Sequence, residues 1–459
     1  MACWTTIQTN ELAKSDWVAI RKSPPWAIDS WGLGCFIHEI FSGIKLGKTE
    51  ELRNTSSIPK SLLQDYQRLL SSMPSRRMNT SKLIENSEKE NCDLYKGEWI
   101  PDLEGSKYAN SSCATIPNSK NCFRNGRKDT DFLNWRWKPE KCDVPRIDPK
   151  AFLEIVQGKH WHSSVTQLPG TTWNHSFASC HSYKIFEEIK FIKRQTYSVV
   201  SNSIIMQAEV PIDAYKDKDD RNRIWYFPAH QFTLKILWTK FLVVGEERKI
   251  NDSSSGIFDL YLDKVDDNWT RALHTIDYII ISDGHWFFRP IYLHKGSNVV
   301  ACIYCNEPNV TDRGVSFAVS MAFRAALGHI NHCKKCKGVV TLLRTFSPSH
   351  FENGFWNTGG SCNRTSPFSE KEIDYGAREW ELRNMQVEEI ERANRKRKEG
   401  KRFEVLDVTR AMLMRPDGHP GDYWGNKWMK GYNDCVHWCL PGPIDLWSDL
   451  LLAVLRRLS

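Results

Sequence analysis

Residues 276–282 read Ile-Asp-Tyr-Ile-Ile-Ile-Ser, a short apolar run that is typical of a buried β-strand. Similar runs are Gly-Val-Val-Thr-Leu-Leu at residues 338–343 and Arg-Phe-Glu-Val-Leu-Asp-Val at residues 402–408. A helical pattern with Leu382 and Ile390 on its apolar side separates the last two runs. Because strands that alternate with helices form parallel sheets, these runs predict an α/β fold with a mostly parallel sheet flanked by helices.

Polar clusters follow two of these runs, where an α/β sheet carries its functional loops. His285, Trp286 and Arg289 follow the first run and are candidate groups for binding a sugar or stabilising an oxyanion. A buried, hydrogen-bonded His285 explains the pattern equally well. His350 follows the second run and His437 lies near the C-terminus, so we expect the three histidines to lie at the same edge of the sheet.

Asp434 and His437 are three residues apart. A carboxylate at this spacing can bind one imidazole nitrogen and leave the other free to accept a proton from a hydroxyl group, as in acyl-transfer triads. The alternative is a structural capped turn that is braced by Cys435 and Cys439. Spacing alone leaves both interpretations open.

The composition indicates a globular chain without a nucleic-acid partner. It has 459 residues, 41% of them apolar, which is enough for two or three domains. The formal net charge is +8, with one dense basic run at residues 392–402. That run has no interleaved aromatic residues, so it predicts a solvated helix face. Nineteen tryptophans suit core packing or the apolar faces of sugar rings.

Fourteen cysteines could form disulfides, free thiols or a metal site. The pairs Cys302/Cys305 and Cys333/Cys336 have zinc-ribbon spacing, but no glycine knuckle follows either pair, and we predict no metal.

Asparagine glycosylation motifs favour a secretory compartment. In contrast, residues 1–14 do not read as a signal peptide, and no run of about eighteen apolar residues predicts a membrane span. A chain composed of unrelated pieces would resolve this conflict.

The first piece extends to about residue 86. Residues 24–35, Pro-Pro-Trp-Ala-Ile-Asp-Ser-Trp-Gly-Leu-Gly-Cys, resemble the end of the activation segment in a protein kinase C-lobe, and the SCY1-like pseudokinases in particular. The sequence lacks a glycine-rich phosphate loop and a catalytic-loop aspartate. We therefore expect residues 1–86 to be catalytically inert, as a leftover helical segment or an interaction surface.

The second piece begins at about residue 91 with different motifs. Residues 92–101, 132–139 and 142–146 form cysteine-framed tryptophan runs, and residues 434–442 carry Asp434 and His437. Together these motifs resemble the plant trichome-birefringence-like, PMR5-type family of cell-wall polysaccharide O-acetyltransferases. The resemblance implies a PMR5 N-terminal-type subdomain at 91–145 and a GDSL/SGNH-like acyl-transferase domain at 146–459.

The same resemblance implies the chemistry of the site. The serine of a Gly-Asp-Ser motif would carry the acetyl group, with His437 as the base and Asp434 as its orienting carboxylate. The acceptor would be a hemicellulose such as xyloglucan or xylan. The acetyl donor, with acetyl-CoA as one candidate, would be a co-substrate and not a bound cofactor. Family members are expected in the Golgi membrane, facing the lumen, although this sequence shows no membrane anchor. The candidate disulfide cysteines are Cys92, Cys113, Cys122, Cys142, Cys362, Cys435 and Cys439.

No Gly-Asp-Ser motif occurs in the sequence. Residues 152–159 and 213–217 fit the family pattern, but residues 160–207 depart from it. Codons permitted for residues 160–179, read one nucleotide out of frame, translate as Thr-Leu-Ala-Phe-Val-Gly-Asp-Ser-Val-Ala-Arg-Asn-His-Met-Glu-Ser-Leu-Leu-Cys-Leu, the block that the family carries here. We hypothesise that residues 160–207 are an aberrant insert, produced by a frame error or a mis-spliced transcript.

The loss of this block has consequences for activity and folding. Without the serine no acetyl-enzyme forms, which costs several orders of magnitude in rate. Ser163 and Ser164 lack the flanking glycine of a nucleophile turn. The block also contains a cysteine, so we expect one of Cys113, Cys122 and Cys142 to be unpaired. Two functions remain, an impaired acetyltransferase and an inactive carbohydrate-binding or pseudokinase-type scaffold protein.

Overall fold

The chain divides into two units, residues 1–91 and 92–459. A computed structural model describes residues 92–106, 116, 118–165, 211–218, 222–398, 400–425 and 431–459, with only the backbone of 162–165. The kinase-like fragment predicted for residues 1–86 therefore lies outside the described residues. The same holds for positions 166–207 of the predicted aberrant insert.

The strands of the described part build three sheets. They are β1 (Gly97–Pro101), β2 (Trp135–Pro139), β3 (His160–Val165), β4 (Ile212–Lys216), β5 (Arg223–Phe227), β6 (Phe232–Trp238), β7 (Val243–Ile250), β8 (Ser253–Val265), β9 (Tyr278–Ser282), β10 (Ile291–Lys295), β11 (Asn298–Ile303), β12 (Val340–Arg344) and β13 (Arg402–Leu406).

The helices of the described part include two long ones, α3 and α4. They are α1 (Pro149–Ile155), α2 (Asp267–Thr270), α3 (Gly314–His332), α4 (Arg378–Arg395), α5 (Thr409–Leu413) and α6 (Leu446–Leu458). None of the helices within these described ranges is long and apolar enough to cross a membrane.

The main sheet has seven strands in the order β13-β12-β9-β3-β6-β5-β4. Neighbours from β13 to β6 are parallel, and β5 and β4 extend the sheet in antiparallel fashion. The predicted α/β fold is confirmed, since the three apolar runs form β9, β12 and β13. Alternate residues of a strand face opposite sides. Ile280 packs in the core that includes α6, whereas Ile279 and Ile281 pack with α3 and α4, so helices cover both faces.

Strand β3 occupies the centre of this sheet. It consists of the first six residues of the predicted aberrant insert and pairs with β9 on one side and β6 on the other. Trp161 is 1% exposed and stacks on Tyr278, with ring centroids 5.0 Å apart. At the carboxyl end, Val165 lies opposite Ser282 and Trp238. The first six residues of the predicted insert therefore form part of the central sheet.

A second sheet of four strands, in the order β11-β10-β8-β7, was not predicted from the sequence. It packs with α3 and shares one apolar core with the α3 and α4 side of the main sheet. Its strands β7 and β8 are long and partly exposed, so they lack the continuous apolar runs that marked the main sheet.

The subdomain predicted at residues 91–145 contains the antiparallel strand pair β1-β2. Trp99 Nε1 donates to the carbonyl of Ala411 at 2.8 Å, and Tyr95 donates its hydroxyl to the carbonyl of Val405 at 2.6 Å. Trp99 also belongs to the core that includes α5 and α6. The subdomain is thus joined to the α/β domain through one continuous core.

Candidate active site

Residues 434–439, which we call the base turn, are held by two disulfides. Cys435 is bonded to Cys362, and Cys439 is bonded to Cys122. Because these partners come from the loop after β12 and from the N-terminal subdomain, the base turn is fixed from two directions.

Asp434 caps the base turn and binds the imidazole of His437. His437 Nδ1 donates to Asp434 Oδ2 at 2.7 Å. The backbone N–H groups of His437 and Val436 donate to Asp434 Oδ1 at 2.9 and 3.2 Å. The Asp434 backbone also pairs with that of Gly421, at 2.9 and 3.0 Å. The capped turn and the oriented imidazole, which the spacing left as alternatives, are present together.

Lys120 is a third member of the site, and the sequence analysis missed it because it lies 314 residues before Asp434. Its Nζ is 3.4 Å from Asp434 Oδ2, and each side chain is only 3% exposed. Burial raises the pKa of Asp434, but His437 and Lys120 outweigh it and hold that pKa well below its usual range. Burial also lowers the pKa of Lys120, which Asp434 opposes. The buried carboxylate is therefore ionised and compensated.

One ring nitrogen of His437 is free of hydrogen bonds to the described residues. Its Nε2 is buried and has no hydrogen-bond partner among the described residues. Burial lowers the pKa of His437, and the nearby Asp434 opposes the shift. The imidazole is therefore neutral at pH 7, with a proton on Nδ1 and a lone pair on Nε2. A group in this state can accept the proton of a hydroxyl nucleophile.

His285 follows β9, as predicted, and lies at the edge of the sheet where the loops after β9 and β12 meet. Its ring stacks on Phe346 with centroids 4.4 Å apart, and its Nε2 also lacks a partner among the described residues. Burial, assisted by Arg344 and His437, lowers the pKa of His285 to about 3. His285 is therefore a neutral imidazole beside the base.

Gln386 of α4 joins the loops that follow β9 and β12. It is fully buried, its Oε1 accepts from the N–H of Phe346 at 2.7 Å, and its Nε2 donates to the carbonyl of Asp283 at 3.1 Å. Trp438 in the base turn donates its Nε1 to the hydroxyl of Ser347 at 2.8 Å. These bonds connect both loops and the base turn in one network at the carboxyl edge of the sheet.

His350 supports the backbone of the base turn. Its N–H donates to the carbonyl of Cys435 at 3.0 Å, and its Nε2 donates to the carbonyl of Leu413 at 2.9 Å. Its Nδ1 lies 2.7 Å from His419 Nε2, and His419 Nδ1 donates to the carbonyl of His437. His350 and His419 are thus positioning residues behind the turn, and His419 was not predicted.

Trp286 and Arg289 lie in a different aromatic cluster. The Arg289 guanidinium is 4.0 Å from the Trp286 ring centroid, and Trp286 packs edge-on against Trp238 at 5.8 Å. Lys240 also approaches the Trp286 ring, at 5.3 Å. Within the described ranges, no hydrogen bond or ring contact links Trp286 or Arg289 to the base turn. Their role in sugar binding stays a prediction.

The described cysteines are paired. The candidate cysteines form the pairs Cys92–Cys142, Cys122–Cys439 and Cys362–Cys435, and Cys113 lies outside the described residues. The cysteines with zinc-ribbon spacing form the pairs Cys302–Cys305 and Cys333–Cys336. Across the described part of the chain, no cluster of His, Cys, Asp and Glu could hold a metal ion.

Two family profiles match the sequence. The PMR5 N terminal Domain matches residues 90–143, and the GDSL/SGNH-like Acyl-Esterase family found in Pmr5 and Cas1p matches residues 198–454. The first match covers the first two cysteine-framed tryptophan runs, at 92–101 and 132–139. Residues 144–197, which include β3, lie between the two matches.

Curated plant proteins are similar over most of the chain. Xyloglucan O-acetyltransferase 4 of Populus trichocarpa is 67% identical, covering 82% of this chain and 83% of that protein. Xyloglucan O-acetyltransferase 2 of Arabidopsis thaliana is 51% identical, covering 80% and 83%. Protein trichome birefringence-like 19 of Arabidopsis thaliana is 38% identical, covering 86% and 88%.

Proposed function

The chain belongs to the GDSL/SGNH-like acyl-esterase family found in Pmr5 and Cas1p, and we propose that it is a xyloglucan O-acetyltransferase whose nucleophile block is read out of frame. Its class is that of the plant cell-wall polysaccharide O-acetyltransferases. Xyloglucan is favoured over xylan as the acceptor because the relatives at 67% and 51% identity carry that substrate in their names.

One observation carries the proposal. His437 has a buried Nε2 without a partner among the described residues, on a ring whose Nδ1 donates to an ionised carboxylate. In the proposed function, His437 is the base and Asp434 the orienting acid of an acyl-transfer triad, whose third member is a hydroxyl group.

The position of β3 supports the frame hypothesis. The alternate-frame block places Thr-Leu-Ala-Phe-Val-Gly at 160–165, an apolar run that suits the centre of a parallel sheet. Glycine would stand at position 165, opposite Ser282, and the serine two residues beyond the strand at position 167. That is the edge of the sheet where the loop of His285 lies. The polar run His-Trp-His-Ser-Ser of this chain conflicts with its central position.

The proposed reaction has two balanced steps. The hydroxyl of the serine attacks the acetyl carbonyl of the donor, its proton passes to His437 Nε2, and His437 returns the proton to the leaving group. A xyloglucan hydroxyl then attacks the acetyl-serine, His437 accepts its proton, and the serine oxygen takes that proton as it leaves. The donor is a co-substrate, and we propose a Golgi location for the reaction.

The test compares three purified chains with an acetyl donor and xyloglucan oligosaccharides. The first is this chain, the second carries the alternate-frame block, and the third carries that block with alanine at position 167. We expect acetyl transfer from the second chain alone. Transfer by the alanine form would contradict the serine mechanism, and failure of the block-bearing chain would favour a carbohydrate-binding protein without catalysis.

The frame hypothesis has a separate test in the transcript. Codons for residues 160–179 that spell Gly-Asp-Ser in the neighbouring frame are expected. Codons that cannot do so would exclude the hypothesis without affecting the family membership.

A further inference from the structure

Residues 352–361, which we call the aromatic turn, expose two large aromatic side chains. Phe355 is 70% exposed and Trp356 is 56% exposed. Single exposed apolar side chains are common on protein surfaces. Two adjacent aromatic side chains are less easily explained, because core packing gives no reason for their position.

The backbone of the aromatic turn is closed by hydrogen bonds. Glu352 and Ser361 pair through two N–H···O bonds of 2.7 and 2.9 Å. The carbonyl of Phe355 accepts from Thr358 at 3.1 Å and from Gly360 at 2.9 Å. A closed, hydrogen-bonded turn lowers the entropy that its side chains lose when they bind a ligand.

The aromatic turn is attached to the base turn. Cys362, the next residue after it, is bonded to Cys435. Asn433 Nδ2 donates to the carbonyl of Gly360 at 3.1 Å. The aromatic turn is therefore attached, by one disulfide and one hydrogen bond, to the chain segment that carries His437.

Two more exposed aromatic residues lie on segments joined to the base turn. Tyr432 is 40% exposed and precedes Asp434 by two residues, and Tyr423 is 38% exposed and follows Gly421, whose backbone pairs with Asp434. Aromatic rings thus occur on both chain segments that flank the acid of the site.

The charges next to the aromatic turn are paired with each other. Arg364 Nε is 2.7 Å from Glu352, and Arg364 Nη1 is 3.6 Å from Glu372. Paired charges give no preference for an anionic ligand. We propose that the aromatic turn is a subsite for a neutral polysaccharide, which packs the apolar faces of its sugar rings on Phe355 and Trp356. This inference rests on the proposed function and identifies where the acceptor chain binds.

The test measures the affinity of this chain for neutral xyloglucan oligosaccharides by calorimetry, without an acetyl donor. We expect Trp356→Ala and Phe355→Ala each to weaken binding about fivefold or more, since each removes one stacking face. Tyr304→Ala is the matched control, because Tyr304 is a 46% exposed aromatic residue outside both turns. Its affinity should equal that of the unsubstituted chain.

Several outcomes would overturn the inference. They are unchanged affinity in both aromatic-turn variants, equal losses in Tyr304→Ala, no binding by the unsubstituted chain, and tighter binding of an anionic oligogalacturonide. Thermal unfolding of each variant shows whether a loss reflects unfolding. Binding that depends on Trp356, found together with no acetyl transfer by the block-bearing chain, would support the subsite and reject the proposed catalysis.

Discussion

In the proposed function, the base turn and the end of β3 are the two halves of one reaction site, and they are stabilised in different ways. The base turn is held by two disulfides, a buried ion pair and side-chain hydrogen bonds. Strand β3 is held by backbone pairing with β6 and β9, while the buried Nε1 of Trp161 has no partner among the described residues.

The difference shows which features depend on side-chain identity. Every residue except proline brings the same backbone donor and acceptor to a sheet, so a strand with unsuitable side chains can still occupy a central position. Catalysis by the loop after β3, in contrast, would depend on the identity of its side chains. The base turn also depends on specific side chains, and Asp434, His437 and Lys120 are present with their contacts formed.

The largest effect is expected for Asp434→Asn in the block-bearing chain. An amide cannot hold the imidazole in the required tautomer, so kcat/KM for acetyl transfer should fall about 10⁴-fold. Asp422→Asn is the control, because Asp422 is exposed in the segment next to the base turn. A loss of less than about tenfold would show that the base half is structural.

The second effect concerns the disulfides. Replacing Cys122 and Cys439 by serine opens a closed loop of 317 residues and should lower the free energy of unfolding by about 5–6 kcal/mol. Replacing Cys302 and Cys305 opens a closure of three residues and should cost about 1–2 kcal/mol. Urea unfolding of both double variants measures the difference, and equal losses would contradict it.

The third effect is a shift in pH dependence. A protonated His437 cannot accept a proton, so activity should be lost as the pH falls through the pKa of His437. Because that pKa is lowered in the folded protein, the acid limb of kcat/KM should have its midpoint below about 6.5. Lys120 contributes to that lowering. Lys120→Met should therefore move the midpoint to higher pH. A shift to lower pH would show that Lys120 does not act through His437.

The smallest effect compares two buried tryptophans. Trp161→Phe removes an indole N–H that has no partner among the described residues, so its cost in free energy of unfolding should be limited to the packing lost in the smaller ring, and less than that of Trp99→Phe. Trp99→Phe leaves the carbonyl of Ala411 unpaired and should cost about 1–3 kcal/mol. Denaturant unfolding would contradict the comparison if Trp161→Phe cost more.

The sequence predicted the local features of the fold and the site. The apolar runs of β9 and β12 were recognisable because both of their faces are buried, and that of β13 because Phe403 and Leu406 are buried. Asp434 and His437 were recognisable because they lie within one turn of chain. Lys120, His419 and Gln386 carried no signal, because they meet the site only after the chain has folded. The second sheet was missed because its strands are partly exposed.

The bond between Cys122 and Cys439 has a consequence for biosynthesis. Cys122 leaves the ribosome 317 residues before its partner, so its thiol must remain available while those residues are synthesised. Thiols pair stably only in an oxidising compartment. A host that keeps its thiols reduced is therefore expected to produce molecules in which the Cys122–Cys439 bond is open and the base turn lacks one of its two covalent attachments.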